Sequence, residues 1–403
     1  MRNVMETTRI ALDGPSALTL YRDRDRNETQ FKPWYSTHVH ASAEANIELS
    51  EEDYNLNDED FWLSDEDLAQ TLAETHVFGK RARTTRFDES VEEHGLEPLH
   101  RTRIRSFSHC VARKRDVKQI PLDDLGVRPP SQESPLYLIV SDVDQRTNAS
   151  NVHVRVYSRS LPSNAFYRLG AQVLVPTPEF TFLLLAKHLS VTELAMVGME
   201  LCGYYRLAGG GPSNLLQSSR TLYSRIPLTT TVRLTSFLER MKGFPGADDA
   251  LRACRFLLQG SASPMETVVY LLLCLPSMLG GYALEHPILN GKRAVNKCAE
   301  QITFAQYLIP DLYWPNAKLD VEYDSEAFHA SPESLKNGAR RTLALRSMRV
   351  EVVSLTSDIV NDAVAFDTTA RLIAKRTGKR LHLKKDLFKE RRDYLRSIVL
   401  GKV

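Results

Sequence analysis

The chain has 403 residues, 25% of them charged, with a formal net charge of +2. It is therefore long enough for two or three packed domains and is not a globally cationic nucleic-acid binder. Its five cysteines, Cys110, Cys202, Cys254, Cys274 and Cys298, are scattered without a CxxC pair, which argues against a disulfide framework and against a zinc site.

MRNVMETTRIALDGPSALTLYRDRDRN lacks the continuous apolar core of a signal peptide. Residues 1–128 are expected to form a variable, partly disordered region. In it, ELSEEDYNLNDEDFWLSDEDLAQ sets Tyr54, Phe61, Trp62 and Leu63 among acids. That pattern suits either a segment that binds a protein partner or a solvated, partly helical stretch. The basic run HRTRIRSFSHCVARKRDVK, Arg101 to Lys118, suits either phosphate contact or an exposed helix or loop.

GVRPPSQESP marks a boundary, because Pro129-Pro130 stops any helix. Residues 129–259 then read as an α/β module. PLYLIVSDVD and NVHVRVYS alternate as strands do. Thr177-Pro178 is an N-cap followed by proline at the first helical position, and Ser190 with Glu193 has the spacing of a capping box. The exposed faces of this helix pair offer few Lys or Arg, so scaffold outweighs a DNA-reading helix-turn-helix.

Residues 260–403 carry the chemistry. SPMETVVYLLL predicts a helix capped by Ser263, with Pro264 in its first turn and Glu266 at the third position. The apolar stretch it opens, VVYLLLCLPSMLGGYALEHP, is broken by Pro276 and Gly280-Gly281. It falls short of the roughly 20 apolar residues of a bilayer span. A buried helix, a cytoplasmic location and no membrane partner are expected. RRTLALRSMRVEVVSLTSDIV reads as helix then strand. The basic tail from Arg371 suits a phosphate-facing surface or an amphipathic helix with a solvated face.

The stretch PDLYWPNAKLDVEYDSEAFH, residues 310–329, joins strand character to acids. Side chains alternate along a strand, so Leu319, Val321 and Tyr323 turn inward, while Glu322 and Asp324 project together about 7 Å apart. A turn at Pro315-Asn316 lets DLYWP pair with KLDVEYD as a hairpin and brings Asp311 beside Glu322. Two carboxylates about 5 Å apart repel by roughly 3 kcal/mol at an effective dielectric near 20. A divalent cation among them, or abundant solvent, offsets that cost, and hard oxygen donors favour Mg²⁺ or Mn²⁺ over zinc. Asp320 is read as a strand-edge acid outside the set. Glu266 has two roles open to it, a helix cap or a ligand.

The order of these parts resembles the PD-(D/E)XK restriction-endonuclease-like superfamily, in its very-short-patch-repair-type branch. The parts are a helix with Glu266, then Pro310-Asp311, then Glu322-x-Asp324, His329, and a helix with Arg340 and Arg341. The resemblance covers roughly residues 260–370. It implies a C-terminal mixed sheet flanked by helices within a multidomain α/β chain. It further implies Mg²⁺ or Mn²⁺ on Asp311, Glu322, Asp324 and Glu266, with His329 as general acid/base and Arg340 and Arg341 against DNA. The implied activity is metal-dependent DNA endonuclease chemistry in a defence or toxin–antitoxin-like setting. The alternative it carries is a catalytically degenerate nuclease fold that binds DNA or acts as an antitoxin-like regulator. Asp324 stands where the wider superfamily has lysine, Ser325 where relatives have glycine, and Asn337 where they have an acid. The middle block resembles AbiEi-like antitoxin proteins through PTPEFTFLLLAKHLS and MELCG.

Overall fold

A computed structural model of the chain describes residues 10–23, 97–98, 110 and 117–401, less short interior breaks that include 325–331. The acidic aromatic segment and almost all of the basic run at 101–118 lie outside the described residues.

The first sheet contains β1 (Ile10–Leu12), followed by helix α1 (Gly14–Asp23), and β2 (Glu97–Pro98), β3 (Leu136–Val140), β4 (Val152–Val156), β5 (Phe166–Leu169) and β6 (Val173–Pro176). Its order is β2-β5-β6-β1-β3-β4. Strand β1 therefore sits inside, parallel to β6 and antiparallel to β3. Residues 10–23, grouped by composition with the first 128, belong structurally to the sheet of the following module. A strand of three residues, IAL, is too short to announce itself by alternation.

Helix α1 is buried throughout. It packs on α2 (Pro178–Leu185), and it is tied to α3 (Val191–Leu201) by an Arg22–Glu200 ion pair at 2.5 Å. Arg22 also donates to the Leu215 carbonyl. Thr177 caps α2, and Ser190 with Glu193 forms the full capping box of α3, as their spacing predicts. A ribbon of β7 (Arg206–Ala208) and β8 (Arg220–Leu222) precedes α4 (Thr231–Arg240) and α5 (Ala247–Cys254).

The second half runs α6 (Pro264–Cys274), β9 (Ile288–Leu289), β10 (Arg293–Ala294), α7 (Lys297–Thr303), β11 (Tyr307–Leu308), β12 (Leu312–Trp314), β13 (Leu319–Asp324), α8 (Pro332–Ser347) and β14 (Glu351–Thr356). The expected hairpin of β12 and β13 is present, with Leu312 opposite Val321. The four-stranded sheet has the order β14-β13-β12-β9. Its one parallel pair is β13–β14, the two strands that helix α8 connects.

Both faces of this sheet are covered. Leu289, Leu312, Trp314, Leu319 and Val321 join the main core, which also holds α6 and the first sheet. Tyr313 turns the other way, packing with Ala344 and Leu345 of α8, Ala299 of α7, Leu308 and Val350. The chain closes with α9 (Ser357–Asn361), α10 (Ala363–Arg376) and α11 (Lys385–Val399). In α11, Phe388, Leu395, Ile398 and Val399 are buried, so this part of the basic tail is an amphipathic helix seated on the core. The molecule is a mixed α/β protein. No helix among the described residues is long and apolar enough to cross a membrane.

Candidate functional site

Helix α6 begins as its sequence dictates. Ser263 accepts from the Glu266 amide at 3.1 Å, and the Glu266 carboxylate turns back to accept from the Ala262 amide at 2.8 Å. One orphan amide of the first turn, and the amide just before the cap, are thereby satisfied. The same carboxylate accepts from Asn290 Nδ2, which also donates to the Gly260 carbonyl. Asn290 reaches both because its backbone is left-handed, φ 48, a conformation Asn tolerates better than most residues. Its own amide donates to the Asp311 carbonyl. One residue, by its side chain and its own amide, thus links the helix start, the end of β9 and the start of β12. Sequence reasoning passed over it, although Asn290-Gly291 is a turn signature.

Asp311 immediately precedes β12, in register opposite Glu322 on β13, and it accepts from the Tyr323 amide at 3.1 Å. Burial pushes its carboxyl up to about 7, and the neighbouring Glu266 and Glu322 push in the same direction. Glu266 is raised too, by burial, despite its hydrogen bonds. The structure therefore gathers Glu266, Asp311 and Glu322, one from a helix and two from the hairpin.

Glu322 is held by Arg341, whose Nε donates at 2.7 Å, while the other arm of the guanidinium donates to the Ile309 carbonyl. Burial opposes the Arg341 charge, but Glu322, Asp311 and Asp320 outweigh it and hold its pKa above the ordinary value. Arg341 is accordingly bound to an acid of the site. Arg340 lies on the exposed face of α8, with its guanidinium 5.7 Å from the centre of the Phe304 ring. Asp324 ends β13 and is exposed. His329 lies outside the described residues.

Asp320 departs from its reading as an edge acid. Strand β13 is interior, and Asp320 is flanked by Tyr313 on β12 and Val352 on β14, beneath α8. It is 0% exposed, and neither carboxylate oxygen has a hydrogen-bond partner. Burial, with Glu322 beside it, pushes its pKa up to about 9. A charged carboxylate in that position is strongly disfavoured, so a proton or a cation must accompany it.

These acids suit a hard divalent cation in chemistry. The donors are carboxylate oxygens, and neighbouring acids add to burial in raising the pKa of Asp311 and of Asp320, a strain that a 2+ charge relieves. Their present arrangement is occupied otherwise. Among the described residues no three His, Cys, Asp or Glu side chains stand as a metal-holding group. Glu322 is engaged by Arg341, and Glu266 by Ala262 and Asn290. Comparison with protein-family models, with curated proteins and with solved structures finds no match.

Proposed function

We propose that the chain is a metal-dependent nuclease hydrolysing phosphodiester bonds of DNA at the acids between α6 and the β12–β13 hairpin. The observation that carries this reading is Asp311, half-buried beside Glu266 and Glu322, whose charges add to desolvation in raising its pKa. Purely structural acids are seldom crowded in this way, because each carboxylate added to a buried group costs free energy. The order of elements supports it as well. A helix bearing Glu266, three antiparallel strands, a crossover helix and a parallel fourth strand follow one another in the order that the sequence resemblance to restriction endonucleases implies.

In this reading Asp311, Glu322 and Glu266 hold Mg²⁺ or Mn²⁺, with Asp324 at the open end of the strand. An ion held there would supply stabilisation of charge on the phosphoryl oxygens and a water of lowered pKa. The chain's own residues do the rest. Asn290 and the Tyr323 amide fix the Glu266 and Asp311 carboxylates, while Arg341 sets the position of Glu322. Fixed donors of this kind reduce reorganisation at the reacting centre. His329, five residues after Asp324, supplies an imidazole able to take or return a proton near neutral pH.

A second reading, a degenerate nuclease fold that binds DNA without cutting it, is favoured by the Glu322–Arg341 ion pair, which satisfies a ligand carboxylate without metal. Cleavage of supercoiled and linear DNA in Mg²⁺, Mn²⁺ or EDTA separates the two, comparing the native chain with Glu322→Ala/Asp324→Ala. Metal-dependent nicking abolished in the double variant is the expected result. DNA binding without cleavage, equal in both proteins, overturns it in favour of the degenerate fold.

A further inference from the structure

Phe304 ends helix α7 in a left-handed conformation, φ 56, with its amide bonded to the Glu300 carbonyl. This is the position where helices place glycine, because a Cβ there meets the backbone. A phenylalanine at such a site accepts strain, and here it does not recover that cost by burial, since Phe304 is 71% exposed. Conformational cost without packing return suggests that the ring is kept for a contact outside the fold.

Its surroundings suggest the kind of contact. Arg340 stands over the Phe304 ring. Three residues on, Tyr307 is 53% exposed on β11 with Lys292 Nζ 5.7 Å from its ring centre. Leu343, one turn beyond Arg340 on α8, is also exposed. Two exposed rings, each accompanied by a cation, thus lie on one short run of chain. That run continues through Ile309, which accepts from Arg341, to Asp311 itself.

We propose that Phe304 and Tyr307, with Arg340 and Lys292, form a stacking platform for the unpaired bases of single-stranded nucleic acid, leading the strand to the acid site. A flat aromatic surface takes the face of any base, and the adjoining cations take the phosphates that the acids would otherwise repel. Duplex DNA keeps its base faces stacked inside and offers such rings little. The proposal rests on the nuclease reading for its substrate, while its test requires no cleavage.

The experiment is fluorescence anisotropy in EDTA with a labelled oligo-dT, an abasic strand of equal length and a duplex, using the full chain. The expected order of affinity is oligo-dT above both the abasic strand and the duplex. Phe304→Gly is expected to weaken oligo-dT binding about tenfold, with little effect on the abasic strand. It relieves the left-handed strain, so its melting temperature should equal or exceed that of the native chain, which excludes unfolding as the cause. Tyr307→Ser is expected to add to the loss. Equal affinity for dT and abasic strands, preference for duplex, absence of binding, or an unchanged Phe304→Gly overturns the platform. Should oligo-dT binding fail in any of these ways while metal-dependent cleavage of DNA persists, the nuclease reading stands and this one falls.

Discussion

Arg341 and Glu322 lie 19 residues apart in sequence, on α8 and β13, and meet at 2.7 Å beside two further acids. Through its second arm on the Ile309 carbonyl, the same guanidinium joins the helix to the chain entering Asp311. It is the cation that keeps the acid cluster tolerable without metal.

Replacing it should therefore be costly. Arg341→Ala is expected to lower stability by about 2–3 kcal/mol, the range for charge-assisted hydrogen bonds lost beside unpaired charge. Urea denaturation measures this. If Glu322 belongs to a cation site, the same variant should recover stability as Mn²⁺ is added, more steeply than the native chain. A melting temperature indifferent to Mn²⁺ in both proteins would remove Glu322 from any metal site.

Asp320 makes the fold sensitive to pH. Its folded pKa of about 9 and that of Asp311 at about 7 lie above the ordinary value for Asp. The folded state therefore binds more protons than the unfolded state from about pH 4 upward, and stability falls as pH rises through that window. Asp320→Asn cannot ionise, so it should melt several degrees higher than the native chain at about pH 8, with the gap narrowing steadily as the pH falls toward about 4. Parallel melting curves at the two pH values would contradict the raised pKa.

Asn290 tests the junction behind Glu266. Asn290→Ala loses two side-chain hydrogen bonds and puts a Cβ-bearing residue without polar compensation at φ 48. About 2–3 kcal/mol of stability should go with it. Asn290→Gly loses the same bonds but not the backbone freedom, and should be less damaging by about 1 kcal/mol. Equal losses would mean that the left-handed backbone is not what selects asparagine here.

The position of β1 predicts where the first module can be cut. A chain beginning at residue 129 lacks an interior strand and α1, and it leaves Glu200 buried without Arg22. Removing one partner of such a pair costs about 3–5 kcal/mol on its own. That chain should lose near-ultraviolet dichroism from the first sheet and aggregate.

What could be read from the sequence was local. Ser263-Pro264-Met265-Glu266 specifies its helix start within four residues, and the hairpin register follows from a turn with apolar residues on either side. From that register the meeting of Asp311 and Glu322 follows directly. Asp320 was misjudged because alternation shows which face a residue takes, not whether α8 covers that face. The Arg341–Glu322 pair, the reach of Asn290 to Glu266, and the insertion of Ile10–Leu12 between β3 and β6 depend on contacts across 19, 24 and more than a hundred residues. No local periodicity encodes such contacts.

The place of β1 also bears on how this chain tolerates change in length. Leu12 pairs with Leu138, yet the chain between them leaves the sheet after α1 and rejoins it at Glu97–Pro98, which pairs with β5, before β3 is made. Closing a flexible loop grows dearer only with the logarithm of its length, about 0.6 kcal/mol for each doubling. The sequence distance between β1 and its partners therefore adds to the closure cost of the sheet only slowly. That distance acts on timing: during synthesis Ile10–Leu12 emerges before either partner, and both neighbours of that strand are complete only once Pro176 has been made. The interval during which this apolar strand awaits its partners lengthens with every residue added between them.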